Sequence, residues 1–595
     1  MGDSRPSSEP LSQNKLLEYL HERYGVDPAD IKYTAHDHIP VIVRGSGQET
    51  LAPKFDPRDI IRDEKEYDVV VVGGGPAGLT SSLYLTDPDS IGRRKNVLML
   101  ERESQLGGLA MGTDLNGIKA AAGAAYSAGP DGLKQYRIFQ HIGMGNYRKR
   151  LSIYDPIDSY LWNGHFYKDV WEGESLKELP ASFALAKHAI IAAADQGMFK
   201  IGTWLGKMTD SVDWETFVRR MPEFVSEMKD HKSQEVYKRF LTDPKVNRQD
   251  PMADTLLLFD NYGRSALGAV ASGVSACQFG DFYRAELEKR YTGSFGTGDV
   301  TQSIIEKLKD ERRKWEYQTN APVAGIENVL GGVIVTYMRD GKPHQVRAKR
   351  VVLSSPLKLA PKLIKDFDRL APERAEFISK MEITDYAVHV VRVKGHPFRE
   401  TYDLWIRDAK YSSENDPTDI ILGRWMDPKI KGYQRMRHFQ RDPEDDYGIL
   451  TVYQPLGKSS RADGFGEEQA IGYAEHSVRR MQEILGPLLK EKWGTSIDVE
   501  LVETNRWPYS IHVVRPGYLT QAEILAKPLG NIHFANNNLG GPELEEALER
   551  GYDAALEINR LFDENMPDDS PKSPGNVIPF PKTRIKRAEQ RRKAG

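Results

Sequence analysis

The sequence predicts an α/β fold in which a Rossmann-type unit is interrupted along the chain by an α+β unit carrying a helical insertion. Three observations predict it. An uninterrupted β-branched run, Val69 to Val72, passes through glycines straight into a helix-forming stretch that ends near Leu85. A second short apolar run, Val97 to Leu100, reads as a buried strand and ends in an acid, Glu101. Residues 150–290 then turn to helix formers and aromatics with little strand pattern, and strands resume only at Val323.

The glycines of the first element have distinct physical tasks. Gly73, Gly75 and Gly78 are spaced G-x-G-x-x-G, with Pro76 inside the same turn. Gly73 permits the tight turn, Gly75 lets the backbone approach a pyrophosphate, and Gly78 lets the helix pack close to the strand. The helix N-terminus offers free N–H groups and the positive end of its dipole to phosphates. Glu101 lies 23 residues after Gly78, the spacing of an acid that binds a ribose hydroxyl pair. A glycine string alone is weak; placed between strand and helix, with an acid closing the next strand, it reads as a dinucleotide site.

The remaining elements follow in order. Leu16, Leu17, Leu20 and Tyr24 recur at helical spacing and predict a short amphipathic helix over Asn14–Tyr24. Residues 45–66 are rich in Gly, Pro and charge and read as a linker, so residues 1–64 form a helical arm and linker. Ala181–Ala194 is a helix, broken as a membrane span by Lys187 and His188. Two strands between Val323 and Ser355 flank an Asp340–Gly341 hairpin turn. Residues 385–455 mix strands and loops, and 467–488 are helical. Asn531–Asn537 is a strand running into a turn, and Glu543–Phe562 is a helix. Residues 65–149, 291–361 and 506–562 thus belong to the first unit, and 150–290 and 362–505 to the second. In the tail, 563–595, Lys582, Arg584, Lys586, Arg587, Arg591, Arg592 and Lys593 cluster. They read as a solvated disordered terminus, or as a tether to anionic lipid that makes a peripheral membrane contact.

Composition bounds the function. The chain has 595 residues, and 82 basic against 86 acidic side chains leave a net charge of −4, which gives no reason to expect nucleic acid as a partner. One cysteine, Cys277, excludes an intrachain disulfide and a multi-cysteine zinc site. No metal-ligand cluster is visible, so no metal is expected. With no secretory h-region and no long apolar run, the expected location is the cytoplasm.

Beyond Glu101 the chain resembles the flavin-dependent amine oxidase superfamily, which spans monoamine, polyamine and L-amino-acid oxidases, protoporphyrinogen oxidase and phytoene-desaturase relatives. In that superfamily an acid followed by a Gly-Gly-Arg turn wraps the FAD diphosphate; here Gly107 and Gly108 are followed by Leu109. Tyr291–Leu308 is similar to the family's glycine turn before a helix, and Val323 falls where the adenine is met. Arg350–Pro361 is similar to a family strand ending in small residues and proline. NIHFANNNLGGPELEEALERG resembles the C-terminal flavin motif, with Asn536 and Asn537 replacing Gly-Glu and Glu546 replacing glycine. The resemblance implies a GR2-like FAD-binding domain. Asn537 then faces a phosphate or ribityl oxygen, and backbone N–H groups near Glu545, Glu546 and Ala547 face the flavin N1/O2 edge.

For the chemistry, the family often holds a water on a lysine nine residues before a phenylalanine. Before Phe398 that spacing falls on His389, which reads either as a proton-handling residue or as a strand histidine satisfied by backbone. Trp507 and Tyr509, in RWPYSIHVVRPG, either wall a flat substrate pocket or are core aromatics. Some relatives attach FAD through a cysteine in this segment; there is none here, so the flavin is expected to be non-covalent. Phe183, Leu185, Ile190, Ile191, Met198, Phe199, Ile201 and Trp204 of the insertion read as core, or as a membrane-facing lid, and the Asp254–Asp260 stretch is similarly open. The expected reaction is oxidation of a C–N substrate, an amine or amino acid, with O2 or another electron acceptor. The expected partners are a small-molecule substrate and, in assembly, a second copy of the chain in a homodimer. Two alternatives stand beside it: a desaturase or isomerase of an apolar substrate, and a flavin-fold assembly protein without catalysis, motivated by Leu109, Asn536 and Asn537.

Overall fold

The structure is a computed structural model. It describes residues 18, 21, 22 and 27–562, except 46–52, 88–93, 116–117, 131, 146–151, 155–157, 163, 169, 172–174, 288–289, 294, 396, 398–400, 408–414, 423–446 and 458–464. The basic tail, Phe398 and most of the Asn14–Tyr24 stretch lie outside the described residues.

Two large sheets organise the chain. In the first, Ile61–Val72 lies between Val97–Leu100 and Lys342–Leu353, parallel to both. Trp315–Gln318 adds a parallel edge beyond Val97–Leu100, and Ile532–Phe534 pairs in parallel with Lys342–Leu353. Helices Pro76–Leu85, Gly298–Leu308 and Leu544–Phe562 cover one face, with Val69, Val71, Leu79, Val300 and Ala555 in one buried cluster. Gly551 makes the close approach of two of these helices possible: a Cβ there would stand 2.2 Å from the Ala77 carbonyl oxygen. The Asp340–Gly341 turn closes an antiparallel hairpin, with Arg339 opposite Lys342 and both turn residues at positive φ, as a type I′ turn requires.

Among the described residues the second sheet has nine strands, in the order Ile31–Tyr33, Pro40–Arg44, Val499–His512, Ile383–Lys394, Tyr447–Pro455, Asp419–Leu422, Asp403–Arg407, Asp158–Trp162 and His165–Tyr167. The long helix Glu467–Trp493 packs on it through Ala474, Val478, Met481 and Leu485. Helices between Ala181 and Glu286 surround a separate aromatic core, where Trp214 stacks on Phe279 at 4.7 Å.

Several elements differ from the reading of the sequence. Residues 31–33 and 40–44 are strands of the nine-stranded sheet, not part of an arm. Residues 61–66 are not linker: they extend the first strand, whose exposed polar half pairs beside His344–Arg347. Its Lys65 and Asp63 meet Glu316 and His344, so the charges that look like linker are the solvent edge of a strand. Strand Val499–His512 runs through the boundary drawn at 505 and 506. The insertion also begins with strands, Asp158–Trp162 joining the larger sheet. Its apolar residues divide: Phe183, Leu185, Ile190 and Phe199 are core, whereas Ile191 and Trp204 are exposed. Leu256, Leu258 and Phe259 of the Asp254–Asp260 stretch are core as well.

Candidate active site

A cavity of about 490 Å³ runs between the two sheets, within the range of small-molecule sites. One end is made of backbone. Gly73 turns the chain at φ +105°, and a Cβ on Gly78 would lie 2.0 Å from the Gly73 carbonyl oxygen, so helix and strand meet only because both are glycine. Gly107 donates its N–H to the Gly74 carbonyl (2.9 Å), which lays the second glycine turn over the first. Gly75 and Gly108 then face one another. A Cβ on Gly108 would sit 3.0 Å from the Gly75 Cα, while one on Gly75 would meet nothing nearer than 3.9 Å. Gly73, Gly75, Pro76, Gly108 and Leu109 line the cavity here; Gly78 and Gly107 hold the turns behind it.

Glu101 closes this end. Its carboxylate accepts the N–H groups of Gly74 (2.6 Å) and Glu103 (2.8 Å), and burial pushes its pKa up against those bonds. Each oxygen accepts one of the two N–H groups and has capacity for another, and Glu101 lines the cavity. Val323 lines the cavity beside Ala321 and Pro322. On the C-terminal motif, Asn536 is bonded to Ser355 and Asn538, and Asn538 accepts the Leu357 N–H. Asn537 lines the cavity and makes no side-chain hydrogen bond within the described residues. Glu545 and Ala547 also line it, the Glu545 carboxylate accepting the Gly129 N–H at 3.0 Å. Glu546 does not. It turns away to pair with Arg550 (2.6 Å) and packs over Gly540, where any Cβ would come within 2.1 Å of its carboxylate.

These residues fit FAD. The cradle of bare backbone matches a diphosphate, Glu101 matches a diol, and the buried Ser355 hydroxyl beside them has no partner among the described residues. Leu109, Asn536 and Asn537 do not close the cradle; all three line it.

The other end is made of side chains. Trp507 and Tyr509 line the cavity, together with Tyr386, Trp405 and Tyr453. The Trp507 indole donates to the Ala122 carbonyl (2.8 Å), and the Tyr453 hydroxyl to the Gly123 carbonyl (2.6 Å). Tyr509 stands at φ +56° inside a strand, a conformation that costs a tyrosine on the order of 1–3 kcal/mol.

His389 is absent from this wall. Alternation along Ile383–Lys394 puts Tyr386 and Val388 on the cavity and His389 on the other face. There it is fully buried, bonded to Thr504 (3.0 Å) and Gln454 (2.8 Å), with its pKa lowered to about 4 by burial. It is a neutral strand histidine with both ring nitrogens satisfied. The nine-residue spacing missed the cavity by one position, and one position in a strand reverses the face.

An acidic group that the sequence reading passed over completes this end. Arg290, 1% exposed, donates to Asp158, to Glu286 (2.9 Å) and to Asp403 (3.3 Å), and lies over the Tyr126 ring at 4.6 Å. Asp419 is next to them, accepting the hydroxyls of Ser265 and Thr418. Glu286 and Asp419 line the cavity. Three buried carboxylates thus share one guanidinium, and Asp419 stands beside them as a fourth. Burial pushes Glu286 up to about 7, against the pull of Arg290, and Asp419 up to about 6; Asp403 is raised well above the carboxylate range. Asp158, Asp403 and Asp419 each open a strand, and Asp403 stands directly opposite Asp158. Their one visible mark in the sequence is an acid heading an apolar run.

The fold has counterparts. Residues 76–559 match the family described as flavin containing amine oxidoreductase. The oxidoreductase PigB of Serratia sp. (strain ATCC 39006) is 23% identical over 542 residues, 82% of this chain and 74% of that one. Cyclohexylamine oxidase from Brevibacterium oxydans IH-35A superposes with a TM-score of 0.54 at 16% identity, over 84% of this chain and 100% of that one. Putrescine oxidase bound to putrescine gives 0.51 at 18% identity, over 83% and 99%. The chain therefore belongs to the flavin-containing amine oxidoreductase family and is an oxidoreductase.

Proposed function

We propose that this protein oxidises a cationic amine at the carbon next to nitrogen, using non-covalently bound FAD. The observation that carries the reading is the cavity itself. It joins a dinucleotide cradle to an aromatic wall and then to Glu286 and Asp419, an end with more buried carboxylates than cations. Such an end is costly unless protons or a bound cation neutralise it. An ammonium group supplies that charge, and Trp405, Tyr453, Trp507 and Tyr509 supply ring faces that attract it. An uncharged apolar substrate brings no charge to offset the excess of carboxylates, which disfavours the desaturase reading.

The Gly73–Gly78 and Gly107–Gly108 turns would hold the diphosphate, Glu101 the ribose, and the first turn of Leu544–Phe562 the flavin edge. The redox step belongs to FAD, which when bound takes up two electrons that O2 or another acceptor later removes. The chain fixes the amine between aromatic walls and leaves Glu286, titrating near 7, to exchange a proton with it. Cys277 is buried off the cavity with its thiol pushed up to about 12, which fits a flavin held without a covalent link.

The test is anaerobic bleaching of the purified yellow enzyme with a panel of aliphatic and aromatic amines, followed by reoxidation in air. Bleaching by primary amines and not by their uncharged alcohol isosteres is expected. Bleaching by apolar polyenes alone would favour the desaturase.

A further inference from the structure

Tyr509 adopts a backbone conformation that its side chain disfavours, and the structure contains a device that holds it there. Among the described residues, five other than glycine have positive φ. Four are His38, Asn320, Asp340 and Asp366, outside the strands and of types that tolerate the region; Tyr509 alone lies within a strand. The pairing explains how. Thr384 lies opposite Ile511 and Tyr386 opposite Trp507, so the single residue Asp385 faces three, Pro508, Tyr509 and Ser510. This is a bulge, and Pro508, which has no N–H to give a ladder, sits within it. The bulge frees the Tyr509 N–H, and the Asp385 carboxylate accepts it at 2.7 Å. Asp385 is 6% exposed, and its own carbonyl is engaged by the Leu456 N–H at 2.9 Å, so it is anchored on the neighbouring strand as well. On either side of this contact, Tyr386, Trp507 and Tyr509 line the cavity, whereas Asp385 does not.

We propose that Asp385 is a positioning residue: by accepting the Tyr509 N–H across the bulge, it holds Tyr509 in the left-handed conformation that presents its ring, next to Trp507, as a fixed aromatic wall of the substrate cavity. A carboxylate oxygen at 2.7 Å is among the stronger acceptors available to a backbone amide, and the acid that supplies it is itself buried. Released from it, the bulge relaxes toward negative φ and the ring leaves the wall.

The proposal takes the cavity to be the substrate cavity, the reading given above, but its test needs no amine to be turned over. The holoenzyme is compared as wild type, D385A, D385N and Y509A by two measurements: hydrogen exchange of the amides in residues 505–512, and visible circular dichroism of bound FAD. In D385A the Tyr509 amide is expected to exchange at least tenfold faster, and the flavin dichroism to change toward that of Y509A. In D385N, whose amide oxygen can accept the same N–H, most of the wild-type protection and dichroism is expected to return. Wild-type exchange and dichroism in D385A overturns the proposal, as does D385N behaving like D385A with the same melting temperature. If D385A does not fold, Asp385→Ser takes its place, the shorter hydroxyl losing the reach, with the same expected results. An enzyme that bleaches with no amine defeats the functional reading and leaves these two measurements to decide this one.

Discussion

At one end of the cavity the contacts are backbone, and at the other they are side chains. The cradle of the nucleotide end comes from two short stretches, 73–78 and 101–109, in which glycines bring N–H groups and bare Cα atoms together. The acidic end draws on Asp158, Glu286, Arg290, Asp403 and Asp419, five residues scattered over more than 250 positions. The first end tolerates little change and binds what the whole family binds. The second consists of charges that cost free energy until something neutralises them, and such a place can set specificity.

The largest expected effect comes from removing Arg290, the guanidinium that Asp158, Glu286 and Asp403 share. Arg290→Met strands Asp158, Glu286 and Asp403, and should cost about 3–5 kcal/mol in chemical denaturation. A loss below about 1 kcal/mol means the carboxylates are already protonated and the two ends differ less than argued. Gly78→Ala acts on the backbone end, where even a methyl meets the Gly73 carbonyl. We expect a loss of about 1–3 kcal/mol and FAD released during purification, measured as flavin per protein; full flavin content would show that the turn can open. Glu286→Gln and Asp419→Asn should leave FAD content unchanged yet weaken phenyltrimethylammonium binding, read by flavin difference spectra, by about tenfold, or roughly 1.4 kcal/mol. Equal weakening toward uncharged tert-butylbenzene removes the charge argument.

The same probe sharpens the comparison through pH, because its own charge is fixed. Both carboxylates have raised pKa values, so they carry protons at low pH and must lose them to hold a cation. Affinity should rise through pH 6 to 7, following Asp419 and Glu286, and level off above that. A flat profile between pH 5 and 8 counts against Glu286 and Asp419 as the cation site. The smallest effect belongs to His389, which faces neither end. His389→Gln should turn over amines at the wild-type rate and lose about 1 kcal/mol of stability at most, from its bonds to Thr504 and Gln454.

How far each part was legible in the sequence follows from the same contrast. The strand Val69–Val72, its glycines, Glu101 and the Asp340–Gly341 hairpin are written in neighbouring residues, because turn geometry and strand period are local properties. Ile61–Glu66 resembles linker in the sequence because its exposed half is polar, and only the partner strand at His344–Arg347 shows it to be paired. Asp385 was passed over for a related reason: its role requires knowing that one residue on its strand faces three on the next. His389 marks the limit of spacing as evidence. A count along the chain reached the correct strand, and the pleat then turned the ring to the opposite face.

The dinucleotide fold and the cradle are local matters, because Gly73, Gly75, Gly78, Gly107 and Gly108 act through what their own backbone can do. Which aromatics wall the cavity, that Glu286 and Asp419 open into it, and that Asp385 meets the Tyr509 amide emerge only on folding. Those outcomes depend on register and burial. A carboxylate's charge and a tyrosine's direction are set by the neighbours that folding brings to them, and for Glu286 those neighbours include Asp158 and Asp403, far away along the chain.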